Sequence, residues 1–105
     1  MIQVEFSVHD HAPVGFCISG HAGAGSAGRD IVCAAVSSAA YMAANTLTDV
    51  VGAQPDIALA DGLLRVSVPV AERPKCDVIL RGLMMHLTQL AEQYPKNIHI
   101  TYTEV

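Results

Sequence analysis

Residues 20–37 read Gly20-His21-Ala22-Gly23-Ala24-Gly25-Ser26-Ala27-Gly28-Arg29-Asp30-Ile31-Val32-Cys33-Ala34-Ala35-Val36-Ser37. The stretch changes character at Arg29. Before it lie Gly20, Gly23, Gly25 and Gly28 with little side-chain bulk between them, the composition of a mobile loop. After it Asp30 is a good N-cap, and Ile31 to Val51 runs rich in alanine with no Pro and no Gly until Gly52. That pattern predicts one helix closed by a glycine. Most of its faces are apolar, so it is expected to be largely buried. One stripe differs. Asp30, Cys33, Ser37, Tyr41 and Asn45 step by three, four, four and four, which sets them in a line along one helix face.

Upstream, Ile2, Val4, Phe6 and Val8 alternate with Gln3, Glu5 and Ser7, the period of a half-buried strand. His9 to Pro13 reads as a turn and Gly15 to Gly20 as a second strand, together an antiparallel hairpin. Downstream, Ile57 to Ala60 and Leu63 to Val68 flank Asp61-Gly62, a signal for a hairpin with a type I′ turn. A second helix is expected from Arg73-Pro74 to Tyr94-Pro95, with Ile79, Leu80, Leu83, Met84, Leu87, Leu90 and Ala91 on its core face. Ile98, Ile100 and Tyr102 then mark a last strand. The order ββαββαβ describes an α+β domain of two layers, a mostly antiparallel sheet packed against two helices. At 105 residues, the chain 1–105 is expected to be a single domain.

Composition narrows the function. Hydrophobic residues are 51% and charged ones 15%, too apolar for disorder. Six Lys+Arg against ten Asp+Glu leave a formal charge of −4, which argues against direct nucleic-acid binding through phosphates. No apolar run reaches the ~18–20 residues of a bilayer span, and the N-terminus lacks the basic and apolar regions of a secretory signal. No membrane partner and a cytoplasmic location are expected. The apolar excess points to a subunit contact. Cys17, Cys33 and Cys76 are odd in number and have no CxxC or CxxxC spacing, so neither a disulfide framework nor a zinc site is expected. Cys17 and Cys76 read as core. His9-x-His11 reads as a polar turn rather than a metal site, His86 and His99 as surface or boundary residues, and Met84-Met85 as core filler or dimer surface.

Two chemistries compete for residues 20–37. Gly23-x-Gly25-x-x-Gly28 has the outward form of a dinucleotide fingerprint, but a true one belongs to a βαβ unit of a parallel sheet, which a hairpin does not supply. Phosphate binding at the helix start stays open. The other reading pairs Cys33 with His21. A thiol in the first helical turn meets the positive end of the macrodipole, and an imidazole beside it holds the thiolate and later protonates a leaving amine. Asp30 nearby opposes the thiolate, and packing is the plainer role for a cysteine in an alanine-rich helix.

Gly20-His21-Ala22-Gly23, a loop of small residues and Asp30-Ile31-Val32-Cys33-Ala34-Ala35-Val36-Ser37 resemble the signature of the ribosomal-processing cysteine protease family. The resemblance implies a small bacterial α+β homodimer with this element order. It implies a catalytic dyad of His21 and Cys33, with Asp30 and Ser37 as supporting residues of the same site. It makes the loop carrying Gly20, Ala22, Gly23, Gly25 and Gly28 a substrate loop that orders on peptide binding. It further implies a cysteine endopeptidase that trims a short apolar N-terminal extension from a large-subunit ribosomal protein, cutting after an aromatic residue. No cofactor or metal is expected. Asp30 would cap the helix or orient His21, and the first N–H groups of the helix would form an oxyanion hole. The rival from another class is a non-enzymatic ribosome-associated module that holds a peptide or phosphate in the glycine loop.

Overall fold

The structure, a computed structural model, describes residues 1–20 and 30–105. Strands β1 (Ile2–His9) and β2 (Ala12–Ser19) form the first hairpin. Helix α1 (Ile31–Asn45) runs on through a π-helical turn, Thr46–Val50. Strands β3 (Asp56–Ala60) and β4 (Leu63–Ser67) form the second hairpin. A 3₁₀ turn, Val70–Glu72, leads into α2 (Arg73–Gln93), which has Pro74 in its first turn, and β5 (Ile98–Glu104) ends the chain. The order is the expected ββαββαβ.

The five strands make one sheet in the order β3-β4-β2-β1-β5. Neighbours are antiparallel except β1 and β5, which run parallel with Ile2 opposite Ile98. The alternation along each strand decides which face is covered. Val4 and Phe6 on β1, Phe16 on β2 and Leu64 and Val66 on β4 are buried, while Gln3, Glu5, Arg65 and Ser67 are exposed on the other face. Both helices lie on the apolar face. Val32, Val36, Ala40 and Ala43 of α1 and Cys76, Leu80, Leu83 and Leu87 of α2 complete the core. Paired Phe6 and Phe16 stand at its centre with ring centroids 6.4 Å apart.

Three expectations change. Helix α1 is not largely buried. Ile31 is 68% and Met42 52% exposed, because the helices form a single layer whose outer side meets no further element among the described residues. The type I′ turn lies at the first hairpin rather than the second. Asp10 and His11 both take positive φ (49° and 68°), whereas at Asp61-Gly62 only Gly62 does. Type I′ needs both central residues in that region. Lastly, the helical run Ile31–Val50, 20 residues with hydropathy 1.3, is long and apolar enough to cross a membrane. Its buried side packs on the sheet and α2, so the apolar content has a folding role here.

The end of α1 shows why the helix stops. Val51 donates to the carbonyl of Thr46 at 2.8 Å, an i→i+5 bond, and Gly52 then turns with φ +75°. Thr46 and Thr48 also bond back to carbonyls one turn earlier.

Candidate active site

Cys33 sits in the first turn of α1 because Asp30 starts the helix immediately before it. The Asp30 carboxylate accepts hydrogen bonds from the N–H groups of Val32 and Cys33, each at 3.0 Å, and the Asp30 carbonyl accepts from Ala34 at 3.1 Å. This is N-capping, so one of the two roles open to Asp30 is observed. The amides of Val32 and Cys33, two of those expected to form an oxyanion hole, are bonded to the Asp30 carboxylate.

The middle of the stripe read from the sequence lies along one wall of a cavity, with Asp30 and Asn45 beyond its ends. Cys33, Ser37 and Tyr41 line it from α1, one helical turn apart. Val36 and Ala40 lie deeper on the same wall. Ile2, Ile18 and Leu64 contribute from the inner face of the sheet, and Leu59 and Ala60 from β3. The volume is about 190 Å³, open on one side. Cys33 is half-buried in this wall.

Gly20 lies at the rim of this cavity, and its chain neighbour is His21. The position requires glycine. Its φ is +86°, and an added Cβ would lie 2.6 Å from the carbonyl oxygen of Met1. Its N–H donates to the Gly62 carbonyl at 3.0 Å, which ties the end of β2 to the β3–β4 turn. His21 and the expected substrate-loop residues Ala22, Gly23, Gly25 and Gly28 lie outside the described residues. The structure therefore brings Cys33, Ser37 and Gly20 to one cavity and places Asp30 as cap of the helix that carries Cys33.

The other two cysteines separate from Cys33. Cys76 is fully buried among core residues, and burial pushes its thiol pKa up, with Glu72 adding to the rise. A neutral buried thiol is packing, as its helical spacing suggested. Cys17 does not belong to the core. It stands half-buried on the open face of the sheet, opposite Glu5 on β1 and Arg65 on β4, because strand alternation puts it out of step with Phe16 and Ile18.

The histidines outside the glycine loop have other places. His9 Nδ1 lies 2.7 Å from the Val105 carbonyl, which fastens the C-terminus to the first hairpin, while His86 and His99 are exposed. Met84 is partly buried against the core and Met85 is exposed. Sequence reading placed Tyr41 on the stripe without a role, and it missed Leu59, Leu64 and Ile18 as cavity residues. The four-residue step was the signal for Tyr41. Nothing local could show which strands face α1.

The family model for cysteine protease Prp matches residues 1–99. The ribosomal processing cysteine protease Prp of Staphylococcus aureus (strain Mu50) is 30% identical over 105 residues, 97% of this chain and 99% of the relative. The protein of the same name from Bacillus subtilis (strain 168) is 27% identical over 99 residues, 89% of this chain and 88% of the relative. The crystal structure of Prp from S. aureus with a covalently linked product peptide has a TM-score of 0.91 at 28% identity, covering 98% of this chain and all of that one. The same S. aureus protease with a substrate peptide gives 0.85 at 27% identity, covering 98% of this chain and 100% of that chain. With the matched span running from the first strand into the last, and the cavity built around a half-buried cysteine at a capped helix start, the chain belongs to the cysteine protease Prp family.

Proposed function

We propose that this protease removes a short apolar N-terminal extension from a protein of the large ribosomal subunit, in the cytoplasm, as a homodimer of single-domain subunits. The observation that carries the reading is the position of Cys33, at the start of α1, in the wall of a cavity with an apolar floor. Cys33 is the nucleophile and His21 the acid/base. The Cys33 sulfur attacks the scissile carbonyl carbon, its proton held by the His21 imidazole. The tetrahedral intermediate collapses to a thioester as His21 delivers that proton to the leaving amine. Water, deprotonated by His21, then hydrolyses the thioester and frees the thiol. Asp30 supports the site by holding the helix start, and Ser37 provides a hydroxyl one turn below Cys33.

The apolar floor favours an apolar residue beside the cleaved bond, since burying such a side chain stabilises the complex by roughly 1.5–3 kcal/mol. The dimer reading rests on the exposed apolar residues Ile31, Met42, Val78 and Met85 of the two helices, together with the groove between them, lined by Ala35, Ala39 and Gly82. A chain with net charge −4 suits a peptide substrate better than ribosomal RNA.

Incubating the protein with an N-terminally extended ribosomal precursor and weighing the products tests the reading. A single truncated product is expected with the native chain and none with Cys33→Ala. An intact precursor with both proteins overturns the assignment and leaves a binding module.

A further inference from the structure

Among the described residues, strand β3 is one of the two outer strands of the sheet, and all five of its residues are exposed. The register shows which of its backbone groups face outward. Gly20 donates to the Gly62 carbonyl and Val68 to the Val14 carbonyl, each at 3.0 Å, so the even-numbered positions from 62 to 68 turn toward β2. In an antiparallel ladder the bonded direction alternates, so Leu63, Arg65 and Ser67 turn toward β3. Their partners Ala60, Ala58 and Asp56 turn back to β4. The N–H and C=O groups of Ile57 and Leu59 therefore point to the open edge.

Sheet edges in native proteins are guarded by charge, proline, a bulge or a covering element. Pro55 and Asp56 guard the start of β3 and Asp61 follows its end, whereas residues 57–60 between them are Ile, Ala, Leu and Ala, with neither charge nor proline. Ile57 and Leu59 pair with the core residues Val66 and Leu64, so both side chains lie at the rim of the helix-covered face, 44% and 62% exposed. Leu59 and Ala60 also line the cavity that contains Cys33. The apolar stretch of this edge is thus continuous with the wall of that cavity.

We propose that the substrate chain adds to the free edge of β3 as an extra strand through the backbone groups of Ile57 and Leu59. This holds the segment flanking the scissile bond while the residue at the bond enters the cavity. The inference rests on the protease reading above and deepens it. The occupant is an extended peptide with apolar residues at alternate positions, whose side chains lie beside those of Ile57 and Leu59. Main-chain pairing requires a segment with no structure of its own, so a terminal extension qualifies and a strand already paired in a folded protein does not.

The test uses the full protein and a peptide substrate that cleaves with native enzyme. Ile57→Pro removes one outward N–H without touching the bonds to β4, and Ile57→Ala keeps that N–H while shortening the side chain. Equal thermal midpoints establish that both variants fold. Expected for Ile57→Pro is a fall in kcat/KM of about five- to tenfold through KM, the range of one lost hydrogen bond, with a smaller loss for Ile57→Ala. A short activated ester that ends at the cavity should be hydrolysed equally by all three. In N-methylated peptides, losses should recur at every second residue. Unchanged KM in Ile57→Pro, or losses without that alternation, overturns the edge-pairing proposal while cleavage by native enzyme still upholds the protease. Conversion of a dimer to monomer by Ile57→Pro with KM unchanged would assign the edge to a second copy and equally overturn it. Should the proline variant melt early, the N-methyl series decides.

Discussion

The carboxylate of Asp30 accepts from the backbone N–H of Cys33 at 3.0 Å, so the residue that begins α1 and the residue proposed as nucleophile are bound to each other directly. The same oxygen takes the N–H of Val32. The cap therefore fixes the backbone from which the thiol projects, at the cost of a negative charge near it. Asparagine caps as well as aspartate and carries no charge, whereas alanine does neither. Asp30→Ala should lose about 1 kcal/mol of stability in denaturant unfolding, and Asp30→Asn should lose little. If Asp30 acts only as a cap, Asp30→Asn keeps near-native turnover. A large fall in kcat for that variant alone would assign Asp30 a second task in orienting His21.

Cys33→Ala should abolish peptide cleavage with the fold intact, and Cys33→Ser should be nearly as inactive, since an unactivated hydroxyl is a much poorer nucleophile. His21→Ala should match them. The double variant should be no worse than either single one if the two residues form the proposed dyad, since such a pair acts as a unit. Progress curves on a fluorogenic peptide measure all four.

The three thiols should alkylate in a fixed order. Cys76 is sealed in the core and its pKa is raised by burial, so it should be modified only as the protein unfolds. Cys17 and Cys33, both half-buried, should react in the native state. Peptide mapping after timed iodoacetamide exposure reads this directly, and early label on Cys76 would contradict the packing.

Glu72 gives a pH dependence remote from the site. The N–H of Gln54, 2.7 Å away, and then Lys75, 3.0 Å away, hold its carboxyl below the usual carboxylate range. A depressed pKa means that the folded state favours the charged form. The resulting stability is fully present above the unfolded-state pKa and is lost as pH falls through the lowered value. Thermal midpoints of native protein and Glu72→Gln should therefore differ at neutral pH and converge in acid.

Elements governed by local periodicity could be read from the chain. Alternation in Ile2-Gln3-Val4-Glu5-Phe6 depends only on neighbouring residues, and so do the Asp30 cap, the Gly52 stop and the helical spacing of Leu80, Leu83 and Leu87. The stripe of Cys33, Ser37 and Tyr41 was visible for the same reason, being a property of one helix. Turn type was less legible. Asp-Gly is the stronger type I′ signal, yet Asp10-His11 adopts that form and Asp61-Gly62 does not.

What the amino-acid order by itself determined was the set of elements, their sequence ββαββαβ, the capped helix with its polar stripe and the cysteine in its first turn. Tertiary structure alone decided that β2 lies between β4 and β1, which turns Ile18, Leu64 and Leu59 toward α1 and makes a cavity of the stripe. It likewise decided that Cys17 faces away from the core and that α1 keeps one side open. The physical reason is range. Helix and strand periods are set by bonds within a few residues, whereas strand order and the choice of covered face are set by pairing between segments far apart in the chain, for which no single stretch of sequence carries the information.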